Sequence, residues 1–113
     1  MGGCAGGLSG GLWAHGAGLR SGAAFVLGAV GFDRRLAEAD AAISGEGRFD
    51  AQSLAGKIVG EVASRCLRAG KPLHLIVGGV EPGTTPPAAI SSITQAESLE
   101  ETRRAACDLA RKR

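Results

Sequence analysis

Aromatic side chains are scarce in this sequence, which has three phenylalanines, one tryptophan and no tyrosine among 113 residues. Because each large ring supplies much of a core's buried area, the core must be built from alanine, leucine, valine and isoleucine. Neither sign of charge dominates: 13 lysines and arginines face 11 aspartates and glutamates, which does not favour nucleic acid as a partner. No run of 18 apolar residues is present, so no membrane-spanning helix is expected. The first residues have neither the basic nor the apolar region of a signal peptide, and we expect a cytoplasmic protein.

Cysteine and histidine are too few and too far apart for a disulfide framework or a zinc site. Cys4, Cys66 and Cys107 form no CxxC pair, and His15 and His74 have no partner at ligand spacing. An odd number of separated cysteines suits a reducing compartment. Cys66 falls at an apolar position of a predicted helix, so we interpret it as a small buried hydrophobe.

Glycine, in contrast, is abundant, and 11 of the 19 glycines lie within the first 31 residues. Each one weakens a helix by about 0.8–1 kcal/mol relative to alanine. The helix predicted around Leu8 and Leu12 would therefore need close packing against backbone, which we expect from a domain outside this chain. A second short helix is predicted at residues 23–30, ending at Gly31, and Asp33 is predicted to cap a third helical turn.

The middle of the chain has the pattern of a strand followed by a helix. Residues 41–44 form a short apolar run that Gly45 is expected to stop, and residues 45–49 are predicted to form a loop. Apolar side chains then recur at helical spacing over residues 50–69, and Gly70 is predicted to end this helix.

Further apolar runs complete the predicted fold. Residues 73–77 predict a second strand, closed by Gly78, and strand, helix and strand of these lengths predict a parallel βαβ unit. Residues 89–94 predict a third, short strand. A capping box at residues 98–101 predicts the start of a last helix that runs to about Arg111. The fold class predicted from the sequence is α/β.

The predicted loop and the start of the predicted helix carry the side chains with the most chemistry. Glu46 and Asp50 are carboxylates that would hold Mg²⁺ or take a proton from a substrate hydroxyl. Lys57, expected two turns into the helix, would reach back to a phosphate or carboxylate. Gly45 and Gly47 would let the backbone approach a ligand, as is typical at the carboxyl ends of parallel strands.

Two common nucleotide-binding signatures are absent from this loop. Its glycine spacing lacks the third glycine of the dinucleotide fingerprint. Ala51 stands where the first glycine of a P-loop belongs, and Ile58 stands where its magnesium-binding serine or threonine belongs. A purely structural interpretation also remains, in which Asp50 only caps the helix, Glu46 is solvated and Gln52 faces water.

The central block, residues 39–57 with the sequence ADAAISGEGRFDAQSLAGK, resembles the signature of the type 1 glycerate kinase family. In that family a strand of the kind D-x-V-I-T-G-E-G runs into R-x-D-x-Q-T-x-x-G-K. The opening CAGGLSGGL at residues 4–12 is similar to the family's glycine-rich block, and residues 31–33 and 78–80 match in order and spacing. Serine replaces threonine at two positions of the signature in this chain.

The resemblance implies ATP- and Mg²⁺-dependent transfer of a γ-phosphoryl group to a hydroxyl of D-glycerate. It also implies a two-domain α/β kinase with a Rossmann-like parallel sheet and flanking helices. Because family members are more than three times as long, we expect this chain to be the C-terminal portion, with an incomplete sheet and no activity alone. Residues 1–32 would be the glycine-rich helical end of the inserted second domain, and residues 33–113 the C-terminal half of the Rossmann-like domain.

At the matching positions, the resemblance assigns roles to six residues of the central block. Asp50 would be the catalytic base and Lys57 a catalytic clamp on the phosphates; the substrate-binding residues would be Gly45, Glu46, Gly47 and Gln52, with Glu46 and Asp50 as metal ligands.

Two other hypotheses stay open on the sequence alone. One is a non-catalytic remnant that folds only on a partner chain, such as the missing N-terminal part, or as a swapped homodimer. The other is an unrelated small α/β module that binds an anion at the helix starting near Asp50.

Overall fold

The computed structural model describes residues 4–55 and 57–112, which form five helices and three strands. Gly56, part of the signature above, lies outside the described residues. In chain order the elements are α1 (Cys4–Ala14), α2 (Gly22–Ala29), α3 (Phe32–Glu38), β1 (Ala42–Phe49), α4 (Ile58–Ala69), β2 (Leu73–Val80), β3 (Ser92–Gln95) and α5 (Leu99–Arg111).

Within the described residues the strands form one parallel sheet in the order β1-β2-β3. β1 and β2 pair along their whole lengths, with Ala42 opposite Leu73 and Phe49 opposite Val80. The shorter β3 pairs with the middle of β2. Since α4 connects β1 to the parallel β2, the predicted βαβ unit and α/β class are confirmed. The domain boundary between residues 32 and 33 stays a prediction.

The core lies between the sheet and α4. Its side chains are mainly aliphatic, as predicted from the small number of aromatic residues. Alternate side chains of β2 are fully buried on one face, and α4 presents buried positions at helical spacing towards them. Full burial of each large aliphatic side chain stabilises the fold by about 1.5–3 kcal/mol. The cluster comprises Leu27, Leu36, Phe49, Val59, Val62, Ala63, Cys66, Leu73, Leu75, Val77 and Ile90.

The start of α4 differs from the prediction by eight residues. Residues 51–55 form turns, and Lys57 is the residue that precedes the first helical turn, with an extended backbone at φ −95° and ψ 171°. Placing Lys57 two turns inside a helix was therefore wrong. Periodicity alone could not separate the turns from the helix, because Leu54 continues the apolar spacing. The predicted end is confirmed: Gly70 has φ +66° and follows the last helical residue.

The segment predicted as a loop is the second half of β1. Gly45 and Gly47 do not stop the strand, which continues to Phe49. A β-carbon on Gly45 would lie 3.2 Å from the carbonyl oxygen of Ile76, and one on Gly78 would lie 2.6 Å from that of Gly47. These glycines permit close strand pairing, so both strands run three to five residues further than predicted.

The first helix, α1, is exposed. In α1, Ala5, Gly6 and Gly7 have positive φ values that interrupt the helix, and the element buries no residue. No described atom outside the chain's immediate neighbourhood lies within 4 Å of a β-carbon built on Gly6, Gly7 or Gly11. The close packing expected of the early glycines is therefore not made by the described residues and stays a prediction.

Arg65 of α4 joins three helices. Its Nε donates to Glu61 Oε1 at 3.0 Å, its Nη1 to Asp33 Oδ2 at 2.9 Å and its Nη2 to the carbonyl of Ala24 at 3.4 Å. The hydrogen bond to Glu61, helped by the charge of Asp33, raises the pKa of the Arg65 guanidinium despite desolvation. Asp33 lies inside the first turn of α3 and does not cap it, because Gly31 precedes the helix with φ +67°.

The capping box of the last helix is confirmed. Ser98 Oγ accepts a hydrogen bond from the Glu101 N–H at 3.2 Å, and the Glu101 carboxylate accepts one from the Glu97 N–H at 2.7 Å. Among the described residues, no helix combines the length and apolar composition needed to cross a membrane.

Candidate functional site

A tight turn follows β1 and fixes the predicted base. Asp50 Oδ1 accepts a hydrogen bond from the Gln52 N–H at 2.8 Å, and the Asp50 N–H donates to Ser53 Oγ at 2.9 Å. The Ser53 hydroxyl in turn lies 3.3 Å from Asp50 Oδ1 and 3.4 Å from the carbonyl of Arg48, the acceptors for its single proton. Ser53 is 0% exposed, so the turn is built around a buried hydroxyl. Asp50 Oδ2 accepts no hydrogen bond from the described residues.

Asp50 lines a cavity of about 640 Å³ at the carboxyl ends of β1 and β2. One wall comes from the turn after β1, including Phe49, Asp50 and Gln52, and the other from the loop after β2, residues 81–87. We call this the Asp50 cavity. Its position between the loops after two adjacent parallel strands is the usual place for ligands in open α/β sheets.

The far wall of the Asp50 cavity is tied to the near wall. The Glu81 N–H donates to the carbonyl of Phe49 at 2.8 Å, and Arg48 Nε donates to Glu81 Oε2 at 2.7 Å in an ion pair. Within the loop, the Thr84 N–H donates to the carbonyl of Glu81 at 3.1 Å, and Gly83 adopts φ +81°. These contacts hold the loop across the cavity by fixing its first residue to the end of β1.

A second cavity, of about 590 Å³, lies beside the middle of β1 and is lined by Gly45, Glu46, Lys57 and the first residues of α2 and α4. We call it the Lys57 cavity. Lys57 is exposed, and its ammonium forms no ion pair with the described residues. Because it precedes α4, its charge adds to the partial positive charge of that helix N-terminus, and together they favour an anion.

Glu46 of the Lys57 cavity has a buried side-chain oxygen that is unsatisfied within the part of the chain that the structure describes. Its Oε2 is shielded from solvent and has no hydrogen-bond partner among the described residues. A carboxylate oxygen in this position needs a donor or a cation. It fits Mg²⁺, which takes one or two protein carboxylates and completes its coordination with water and phosphate oxygens. No cluster of three or more acidic, histidine or cysteine side chains that could hold a metal occurs in residues 4–55 or 57–112.

The structure therefore distributes the predicted site over two cavities. Asp50 and Gln52 line one, and Gly45, Glu46 and Lys57 line the other, with no shared lining residue. The arrangement does not bring Glu46 and Asp50 to one ion, so each of them stays a separate predicted metal ligand. Gly47 lines neither cavity, and its carbonyl oxygen faces Gly78 of β2. The roles assigned to these six residues remain predictions.

Two features of the site were missed from sequence. Ser53 was noted only as a replacement for threonine, although its hydroxyl organises the Asp50 turn. The loop after β2 was not identified as part of the site, although it forms one wall of the Asp50 cavity. The residues Pro82 and Gly83, followed by two threonines, were the available signal of an ordered turn with free hydroxyls.

Comparison with known proteins supports the sequence resemblance. The profile of the glycerate kinase family matches residues 1–112. The chain is 38% identical over 106 residues to the glycerate kinase of Neisseria meningitidis serogroup B, covering 88% of this chain and 28% of that protein. It is also 42% identical over 78 residues to an uncharacterized protein of Mycobacterium bovis, covering 69% of this chain and 20% of that protein.

A solved structure has the same fold. A crystal structure from Salmonella typhimurium LT2, provisionally named glycerate kinase 2, matches with a TM-score of 0.61 at 30% identity and covers 98% of this chain and 33% of that one. The chain thus spans about a fifth to a third of the length of these relatives. The chain belongs to the glycerate kinase family.

Proposed function

We propose that this chain supplies part of the active site of a glycerate kinase that transfers the γ-phosphoryl group of ATP to a hydroxyl of D-glycerate. Family membership and the relative named glycerate kinase support the reaction class. The observation that carries the proposal is the Asp50 cavity, where a carboxylate lies at the carboxyl ends of two parallel strands and one of its oxygens accepts no hydrogen bond from the described residues. Phosphoryl transfer depends on positioning and charge neutralisation by several converging groups, so we expect no turnover from this chain alone.

Asp50 is proposed as the base. Its Oδ1 is held by the turn, which orients the carboxylate, while Oδ2 is available to accept the proton of the attacking hydroxyl. Gln52 lines the same cavity and carries both a donor and an acceptor on its side chain, which suits a polyhydroxy acid.

The Lys57 cavity is proposed to hold the phosphates of ATP. Lys57 and the N-terminus of α4 would neutralise the phosphate oxygens, and the unsatisfied Glu46 oxygen would hold Mg²⁺. When bound, Mg²⁺ supplies further charge neutralisation to the phosphoryl oxygens. Gly45 lines this cavity and, because it has no side chain, leaves its backbone accessible to a ligand.

Family membership bears differently on the two other hypotheses drawn from the sequence. Family membership excludes an unrelated anion-binding module. A non-catalytic chain that folds only on a partner remains a second hypothesis. Large apolar side chains of α1 and α2, such as Leu8, Trp13 and Phe25, are more than half exposed, and a partner surface would cover them. The three free cysteines support our proposal of a cytoplasmic location.

Backbone amide NMR of the ¹⁵N-labelled chain tests the proposal. We expect D-glycerate to shift the amides of residues 50–53, 81 and 83–85, and ATP with Mg²⁺ to shift those of residues 45–46 and 57–59. Glycerol and inorganic sulfate serve as matched controls for a hydroxyl compound and an anion. The proposal would be overturned if neither D-glycerate nor ATP with Mg²⁺ produced saturable shifts at any cavity residue in a folded chain.

A further inference from the structure

The wall of the Asp50 cavity opposite the proposed base has unused hydrogen-bonding capacity. Thr84 lines the cavity and is half-buried, and its hydroxyl makes no hydrogen bond with the described residues. Its backbone is fixed, however, because its N–H donates to the carbonyl of Glu81. A fixed residue with an unused hydroxyl at the edge of a cavity is suited to bind a ligand group.

The charged residues of the Asp50 cavity restrict the chemical class of the ligand group that Thr84 can bind. Asp50 is anionic on one wall, so a second carboxylate brought by a ligand is repelled from that side. On the other wall, the charge of Glu81 is compensated by its ion pair with Arg48. A ligand with a hydroxyl at one end and a carboxylate at the other is therefore favoured in one orientation, with the hydroxyl towards Asp50.

We propose that the loop after β2 is the carboxylate-binding wall of the substrate site, and that Thr84 is a specificity-determining residue that donates its hydroxyl proton to the carboxylate of a hydroxy acid. The proposal rests on the proposed function and names a residue to which no role was assigned from the signature. Gly83, with φ +81°, and the hydrogen bond from the Glu81 N–H to the Phe49 carbonyl hold the loop in which Thr84 lines the same cavity as Asp50. The short turn leaves little freedom to move Thr84 away.

Titration of the 113-residue chain with two ligands tests this proposal. D-glycerate carries the carboxylate, whereas glycerol replaces it with a hydroxymethyl group, and NMR shifts at residues 50–53 report the affinity for each. Thr84→Val removes the hydroxyl and keeps the shape, Thr84→Ser keeps the hydroxyl, and Thr94→Val on β3 is a matched control outside the cavity.

We expect Thr84→Val to weaken D-glycerate binding by about tenfold, as for a hydrogen bond to a charged group, and glycerol binding by less than about twofold. Thr84→Ser should restore D-glycerate binding, and Thr94→Val should not change it. Equal losses for both ligands, or no loss, would overturn the assignment of Thr84. If D-glycerate shifts only residues of the Lys57 cavity, this assignment fails while the proposed kinase function stands; if D-glycerate produces no saturable shift at all, both fail.

Discussion

At the scale of single residues, the site depends on a serine that does no chemistry in the proposed reaction. Ser53 is fully buried and accepts the Asp50 N–H, while its own proton is shared between Asp50 and Arg48. Without this hydroxyl the Asp50 N–H loses its partner. The orientation of the Asp50 carboxylate thus depends on the Ser53 hydroxyl, three residues further along the chain.

Ser53→Ala is expected to destabilise the chain by about 1–3 kcal/mol, because a buried backbone donor is left unsatisfied. Ser64→Ala, at an exposed position of α4, is the matched control and should change the free energy of unfolding by less than about 0.5 kcal/mol. Urea unfolding followed by circular dichroism measures both. Equal stabilities of the two variants would show that the Ser53 hydroxyl does not hold the turn.

Cys66 is a second residue whose environment has a measurable consequence. It is fully buried, as predicted, and burial raises the pKa of its thiol. An unfolded thiol ionises near pH 8.5. Between that pH and the higher folded pKa, the unfolded state has lost the proton and the native state has kept it. The contribution of Cys66 to stability is therefore complete below about pH 8.5 and decreases as the pH rises.

Cys66→Ala should accordingly be less stable than the unmodified chain at pH 7, and the gap between the two should narrow by pH 9.5. Cys107→Ala, at an exposed position, should show no such narrowing. Urea titrations at both pH values provide the comparison. A gap of constant size would mean that the Cys66 thiol ionises as readily in the native state as in the unfolded chain.

At the scale of elements, glycine controls how the segments meet. Gly60 in the first turn of α4 is approached by the backbone of the preceding turn: a β-carbon there would lie 2.3 Å from the carbonyl oxygen of Leu54. The chain therefore folds back over the start of its own helix. Close approach of this kind fixes where the Asp50 turn lies relative to Lys57.

Gly60→Ala is predicted to destabilise the chain by about 1–3 kcal/mol, since the backbone of Leu54 must shift. Gly28→Ala is the matched control, because a β-carbon there meets nothing within 4 Å and α2 should gain about 0.5–1 kcal/mol. Thermal unfolding of both variants measures the difference. A stabilising Gly60→Ala would contradict the close approach.

The order of elements was predictable from the sequence, whereas several of their boundaries were not. Apolar runs and helical spacing identified β1, α4 and β2, because periodicity follows directly from burial on one face, and the capping box identified the start of α5. The extent of β1 past Gly45 was not predictable. Some glycines end a strand and others allow a neighbouring strand to approach closely, and the sequence alone does not distinguish the two. Only the position of Gly78 opposite Gly47 distinguishes them.

The same reasoning explains what was found of the site. Asp50, Glu46 and Lys57 were predicted as site residues because they lie around the junction between a predicted strand and a predicted helix, in the block that resembles the family signature, and their roles stay predictions. Their division between two cavities depends on the turn at residues 51–55 and on the path of β1. Thr84 lies more than thirty residues from Asp50 in sequence, so only the parallel pairing of β1 and β2 brings it to the same cavity.

At the scale of the whole molecule, the sheet and three helices hold the two cavities in one frame. β1 contributes residues to both cavities, and α4, which begins at the Lys57 cavity, is joined through Arg65 to α2 and α3. The proposed base and the proposed phosphate-binding residues are therefore connected by one strand and one turn. We propose that this arrangement is the part of the active site that this chain supplies to a larger kinase.

A hybrid enzyme tests the central claim most directly. This chain would replace the corresponding segment of the Neisseria meningitidis glycerate kinase, with which it shares 38% identity over 106 residues. We predict ADP formation that requires D-glycerate, ATP and Mg²⁺ together, and a loss of kcat of about 100-fold or more in Asp50→Asn, with the unfolding temperature unchanged. A cooperatively folded hybrid without turnover, or one in which Asp50→Asn keeps its kcat within a few-fold, would contradict the account.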